Sequence, residues 1–139
     1  MQLFNTYGFY VLENGIIESD RYLEIKSFIE EICKNAEKIA NKYNKTFICH
    51  YLPINKNLSI TCCVFEKKAS FGLYDHKNKC IYLETNMKSL NTFTELHKNQ
   101  LIVRIEGAAK HSLNLSPIDK IWLEIKTLEN YKDIKEYDY

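Results

Sequence analysis

With 139 residues the chain suits one domain, 1–139, able to bury about two-thirds of its unfolded surface. A composition 45% hydrophobic, 13% aromatic and 27% charged, with four Gly and two Pro, excludes a disordered or fibrous chain. Net charge is only +1, but it is uneven: residues 1–31 hold six acidic and two basic side chains, and residues 32–100 hold five acidic and eleven basic.

Met1 to Tyr10 has no basic leader and is too polar for the apolar centre of a signal peptide. No apolar run approaches the roughly 20 residues that cross a bilayer. The sequence thus points to a cytoplasmic protein without a membrane segment. Five Cys, an odd number without framework spacing, fit reduced thiols in that compartment.

Leu3 to Leu12 is β-prone and aromatic, and Asn14-Gly15 followed by Ile16-Ile17 predicts a hairpin. Next comes the clearest helix, about 19–43. Tyr22, Ile25, Ile29, Ile32, Ala36, Ile39, Ala40 and Tyr43 recur at steps of three and four. Acidic residues lead and lysines follow, as the helix dipole favours. Ser19 or Asp20 is the expected N-cap, and Asn44 the expected left-handed stop.

Thr46 to Leu52 predicts a strand ending at Pro53, and Leu58 to Glu66, apolar on both sides, predicts a central strand. Lys67-Lys68 is the expected turn. Ala69 to Tyr74 and Cys80 to Thr85 flank the turn residues Asp75-His76-Lys77-Asn78, which completes an antiparallel meander. Leu90, Phe93 and Leu96 predict a helical turn, and Leu101 to Glu106 a further strand ended by Gly107.

Ser116-Pro117 with Asp119 is a helix start: Ser caps, Pro sits first, and the acid completes a capping box. Ile118, Ile121, Trp122, Ile125 and Leu128 share one helical face, which favours a helix over about 117–130 against the strand alternation of Ile121, Leu123 and Ile125. The predicted class is α+β: two layers, one mostly antiparallel sheet of about five strands, with helices on one face. The expected core draws on Ile25, Ile29, Ile32, Ile39, Ile60, Val64, Phe71, Leu83, Val103 and Trp122.

Motifs for chemistry are sparse. Four isolated Gly form neither a phosphate loop nor a dinucleotide fingerprint. Cys62-Cys63 and Cys49-His50 are adjacent pairs that point to opposite sides of a strand and cannot chelate together. His76, His97, His111 and Cys80 lack zinc-site spacing. His111, after Gly107-Ala108-Ala109-Lys110, reads as a loop His. No catalytic, metal or cofactor residue is therefore assigned.

Trp122-Leu123-Glu124-Ile125-Lys126 resembles the core of restriction-type nucleases. The resemblance implies a strand that aims Glu124 at a divalent metal, with Lys126 beside it to stabilise the attacking water. It also implies an earlier Asp after a Pro. Pro117 and Asp119 are the nearest match, too close in sequence to share that site.

Two binding patterns remain. Lys67, Lys68, Lys77 and Lys79 border the meander, with Phe71, Tyr74 and Tyr82 between them, as in a sheet that stacks single-stranded bases. Only two Arg are present, however, and Arg dominates specific nucleic-acid recognition. Ten Tyr, among them Tyr131, Tyr137 and Tyr139 in a polar tail, favour a protein interface. The expected function is a non-catalytic protein-binding module, an inhibitor or immunity-type partner of a toxin or host factor. Its contact surface would combine that tail with the basic hairpin around Lys77. A nucleic-acid binder and a divalent-metal nuclease or other hydrolase are the alternatives.

Overall fold

In the computed structural model, residues 10–12, 21–111 and 114–137 are described, with side chains at 21–83, 88–111 and 114–128. The N-terminal helix is α1, Tyr22–Lys42, and its stripe of Ile25, Ile29, Ile32, Ala36 and Ile39 is buried. The cap position falls on Arg21, which makes no side-chain cap, rather than on Ser19 or Asp20. Arg21 instead donates to the carbonyls of Asn91 (2.6 Å) and Phe93, fastening the helix start to a distant loop. The helix ends as expected: Asn44 is left-handed (φ 53°), and the Lys45 N–H donates to Ala40 O at 2.9 Å.

The sheet is an antiparallel meander of β2 (Phe47–Pro53), β3 (Leu58–Phe65), β4 (Lys68–Asp75) and β5 (Cys80–Tyr82), adjacent in that order. Ile48 faces Val64, Cys62 faces Phe71, and Asp75 faces Cys80. The β3–β4 turn lies on Glu66 and Lys67, both with positive φ, one residue before the expected Lys67-Lys68. In the β4–β5 turn, Asp75 Oδ1 accepts the N–H groups of Lys77 and Asn78 at 2.9 and 3.2 Å. Those bonds, the Asn78 N–H first, hold the Asp75 carboxyl below its usual range.

The expected strand 80–85 divides at Leu83. Beyond it, β6 (Glu84–Asn86) pairs in parallel with β1 (Tyr10–Leu12). The expected single sheet of about five strands is thus a four-stranded sheet and a separate parallel pair. The hairpin predicted at Asn14-Gly15 lies outside the described residues.

After a 3₁₀ turn at Met87–Leu90 come α2 (Glu95–His111) and α3 (Pro117–Tyr137). The strand predicted at 101–106 is wrong. Lys98, Leu101, Ile105 and Ala109 recur at helical spacing and form the buried face of α2. The β-branched run Ile102-Val103 misled because its residues flank that stripe; Val103 is 70% exposed and no part of the core. Leu90 and Phe93 are buried as expected, while Leu96 is exposed.

Alternation along the strands feeds two cores. Ile48, Leu52, Ile60, Cys62, Val64, Phe71 and Leu73 pack against α1 and α2. Phe93 stacks on Phe71 at 6.0 Å between centroids. Cys49, Cys63 and Tyr74 face the other way, onto Ile118 and Trp122 of α3. The expectation of helices on one face is corrected: α3 covers the second. The central strand β3 is apolar on both sides because both sides are covered.

Two glycines in this frame predict opposite outcomes. A Cβ at Gly72 would lie 2.7 Å from Ile81 Cγ2 and 3.2 Å from the Tyr82 carbonyl oxygen. Gly107 lies inside α2, and a Cβ there meets nothing within 4 Å. Gly107→Ala should therefore raise stability by about 0.5–1 kcal/mol. Gly72→Ala should lower it by about 1–3 kcal/mol. Urea midpoints at unchanged slope measure both.

The start of α2 predicts a pH effect. The Thr94 N–H donates to His97 Nδ1 at 3.0 Å, and the His97 N–H returns a longer bond (3.4 Å) to Thr94 Oγ1, a reciprocal cap. Burial pushes the His97 pKa below its ordinary value. The folded state thus prefers neutral His97, and the cap needs Nδ1 as an acceptor. The stabilisation is present above pH ~6.5, where unfolded His is neutral. It is lost as pH falls from there toward the lower folded value. Amide exchange in the first turn of α2 should speed up between pH 7 and 5 beyond the intrinsic trend, and His97→Ala should abolish that dependence.

Candidate functional site

The strand that borders the site is β2, the sheet edge. The Glu66 N–H donates to Thr46 O (2.8 Å) and the Ile54 N–H to Leu58 O (3.0 Å), just beyond the two ends of the β2–β3 ladder. In an antiparallel ladder this phase turns the N–H and C=O groups of residues 48, 50 and 52 toward β3. Those of Phe47, Cys49 and Tyr51 point outward, and among the described residues no further strand pairs with them.

The edge is closed at one end. Arg104 of α2 donates to Tyr51 O at 3.0 Å, and the Tyr51 N–H donates to His50 Nδ1 at 2.9 Å. Pro53, the next outward residue, has no N–H. Such devices keep a sheet edge from pairing at random. Phe47 and Cys49, toward the other end, help line a cavity of about 450 Å³. It is lined by Lys45 and by residues 47–51 of β2, with Ala108 of α2 and Asn114, Leu115, Ser116 and Asp119 around the start of α3.

Polar groups in the cavity hold one another. The Ser116 N–H donates to Asp119 Oδ2 (2.9 Å) and the Asp119 N–H to Ser116 Oγ (3.2 Å), which is the capping box read from the sequence. Asp119 Oδ1 accepts the Cys49 thiol at 2.7 Å. Burial, with the Asp119 carboxylate adding to it, pushes the Cys49 pKa far above the ordinary thiol range. Cys49 is therefore a thiol that donates a hydrogen bond, not a nucleophilic thiolate. Its neighbour His50 spends Nδ1 on the Tyr51 amide.

In two other pairs that could suggest catalysis the serine is buried. Ser59 Oγ lies 2.7 Å from His76 Nε2, and Lys126 Nζ donates to Ser70 Oγ at 2.6 Å. Both serines are buried, so no substrate reaches them. All five cysteines are free thiols; Cys62 is fully buried, and its bond with Cys33 together with burial raises its pKa. Among the described residues no three His, Cys, Asp or Glu side chains are placed to hold a metal. No helix among them is long and apolar enough to cross a membrane.

Compared with known proteins, the chain matches no family model, no curated protein and no solved structure.

The structure separates the residues singled out in the sequence. Lys67 and Lys68 lie at one end of β4, and Lys77 and Lys79 beyond the other, about 23 Å apart for seven strand steps. Phe71 and Tyr74 are buried and present no ring to a base; only Tyr82 of the three is exposed. Trp122 to Lys126 is helical, not a strand. Glu124 faces solvent, while Lys126 turns inward to Ser70. His111 is the last residue of α2 rather than a loop residue. The side chains of Tyr131 and Tyr137, and all of Tyr139, lie outside the described residues.

Sequence reading missed the pairing of Cys49 with Asp119 and the groove beside it. Two signals were available. Pro53 marks its strand as an edge, and the Ser116–Asp119 box fixes where the Asp119 carboxylate sits.

Proposed function

We propose that this chain is a non-catalytic protein-binding module that receives its partner along the outer edge of β2. One observation carries the proposal: Phe47 and Cys49, two residues of a sheet edge that no further described strand pairs, line the groove, while Arg104 and His50 close that edge at Tyr51. A backbone edge is satisfied best by another backbone. Cys49, Asp119 and Ser116 beside it are bonded to one another, as suits a rigid docking surface. A cytoplasmic setting, where the five thiols stay reduced, agrees with the cysteine usage.

Affinity capture with the full chain, with and without nuclease, tests this function. A protein that survives nuclease treatment and rebinds after purification in a defined ratio supports it. If the chain also suppresses that protein's activity, the module is of the inhibitor or immunity type. Recovery of RNA or DNA alone, with affinity falling steeply as salt rises, would favour nucleic-acid binding instead. Turnover on a nuclease or esterase panel that Glu124→Gln or His111→Ala abolishes would defeat it.

A further inference from the structure

We infer that the outer face of α2 is a self-association surface, through which two copies of this chain pair antiparallel, α2 against α2, about a two-fold axis at Val103. The inference goes beyond the protein-binding function proposed above and does not depend on it.

Helical geometry puts the relevant residues in line. α2 buries Lys98, Leu101, Ile105 and Ala109 toward the sheet. At about 100° per residue, Leu96, Val103 and Gly107 fall within about 40° of one another, on the side opposite that stripe. Leu96 is 64% exposed and Val103 70%. Gln100, between them on the same side, is exposed as well. These apolar side chains add nothing to the core of their own domain. Gly107 makes the same point from the backbone. A Cβ there meets nothing within 4 Å, so the fold itself does not require glycine, and glycine weakens a helix interior. A second helix passing close over that position does require it, because the side chains at the crossing set how near two helices come.

Charge identifies the second helix as a copy of the first. The face begins at Glu95 and ends at Lys110, fifteen residues or about 22 Å along the axis. In a parallel pair Glu95 would meet Glu95 and Lys110 would meet Lys110. In an antiparallel pair centred on Val103, Glu95 of each copy lies beside Lys110 and His111 of the other, so the surface complements itself at both ends. Each charge also has a partner on its own helix, Glu95 with Lys98 and Lys110 with Glu106. Both of those contacts are 3.8 Å long, and the Glu95 and Lys110 side chains remain 71% and 51% exposed, which leaves each an open side for a second partner. At the same register Val103 packs on Val103, and Gln100 of one copy lies over Gly107 of the other, in the space that the absent side chain leaves.

Size sets the strength. A face about 25 Å long and about 10 Å wide is smaller than the roughly 800 Å² per partner of a standard interface. The pair is therefore a weak dimer that forms as concentration rises, not an obligate one.

Sedimentation velocity of the full chain, from micromolar to millimolar concentration, tests the inference. The native chain should pass from monomer to dimer and form nothing larger, because an isologous contact closes on itself. Val103→Asp sets two carboxylates against each other at the axis and should weaken association about tenfold or more. Gly107→Leu fills the crossing and should weaken it too. Lys110→Glu places an acid against Glu95 of the copy and should weaken association, and adding Glu95→Lys should restore it, since the exchanged charges are again complementary. Thermal melting of each variant as a monomer, unchanged or higher, establishes that lost association is not lost folding. A chain that stays monomeric over the whole range overturns the inference. So does a dimer that Val103→Asp and Gly107→Leu leave intact. A double charge variant that associates no better than Lys110→Glu overturns the antiparallel register.

Discussion

Replacing Trp122 by Ala is expected to lower stability by about 3–5 kcal/mol. Trp122 is fully buried and centres the core between α3 and the sheet, with Cys49, Cys63, Tyr74 and Ile118 around it. Its Nε1–H donates to Thr61 Oγ1 at 2.9 Å, and Lys126 Nζ lies 5.9 Å from the ring centre. Truncation opens a cavity and removes both contacts. Thr61 keeps one bond, since its hydroxyl also donates to His50 O at 2.9 Å. Trp122→Phe should therefore be milder, about 1–3 kcal/mol, because it keeps most of the apolar area and loses mainly the hydrogen bond. Urea unfolding reads both. Should Trp122→Ala cost under 1 kcal/mol at unchanged slope, α3 would not be an integral layer.

The fold was legible in the sequence wherever one period dominated. The α1 stripe from Ile25 to Ile39 admits no second reading; at α3 the Ser116-Pro117-Asp119 start tipped the balance toward helix against the competing alternation of Ile121, Leu123 and Ile125. The strands β2 to β4 were legible from β-branched and aromatic runs between turn residues. Leu101 to Glu106 was not, because six residues are too few to separate a β-branched strand from a helix that buries only Leu101 and Ile105. Lys98 and Ala109 complete that helical stripe, and neither stands out as apolar core in a sequence. Lys98 is buried with its ammonium paired to Glu31 and 5.7 Å from the centre of the Phe28 ring. Which face of the sheet α3 covers was also hidden, since amphipathic helices on either side carry the same pattern.

The candidate site was less legible than the fold for a simple reason. It is built on backbone N–H and C=O groups, which every residue has, turned outward by the position of β2 at a sheet edge. Edge position is a property of topology, and the one residue that announces it is Pro53. Lysines at turns, by contrast, are conspicuous in the sequence, yet β4 places their two pairs at opposite ends.

Ile29→Ala is expected to cost about 2–5 kcal/mol. Ile29 is fully buried in the core that joins α1 to the sheet and α2. Together with Trp122→Ala it tests the architecture itself. The two residues lie in separate cores on opposite faces of the sheet and share no partner, so their costs should add within about 0.5 kcal/mol. Each single mutant must stay folded for that sum to be read. If the pair is too weak, Ile29→Val at about 1 kcal/mol with Trp122→Phe at about 1–3 kcal/mol offers the same comparison. A coupling energy above about 1 kcal/mol would mean that β3, which lends Cys62 to one core and Cys63 to the other, transmits the loss through the sheet. Near-zero coupling would mean that the sheet is stiff enough to isolate its faces. A groove built on that sheet's edge, with walls from α2 on one side and α3 on the other, would then keep its shape when either core is disturbed.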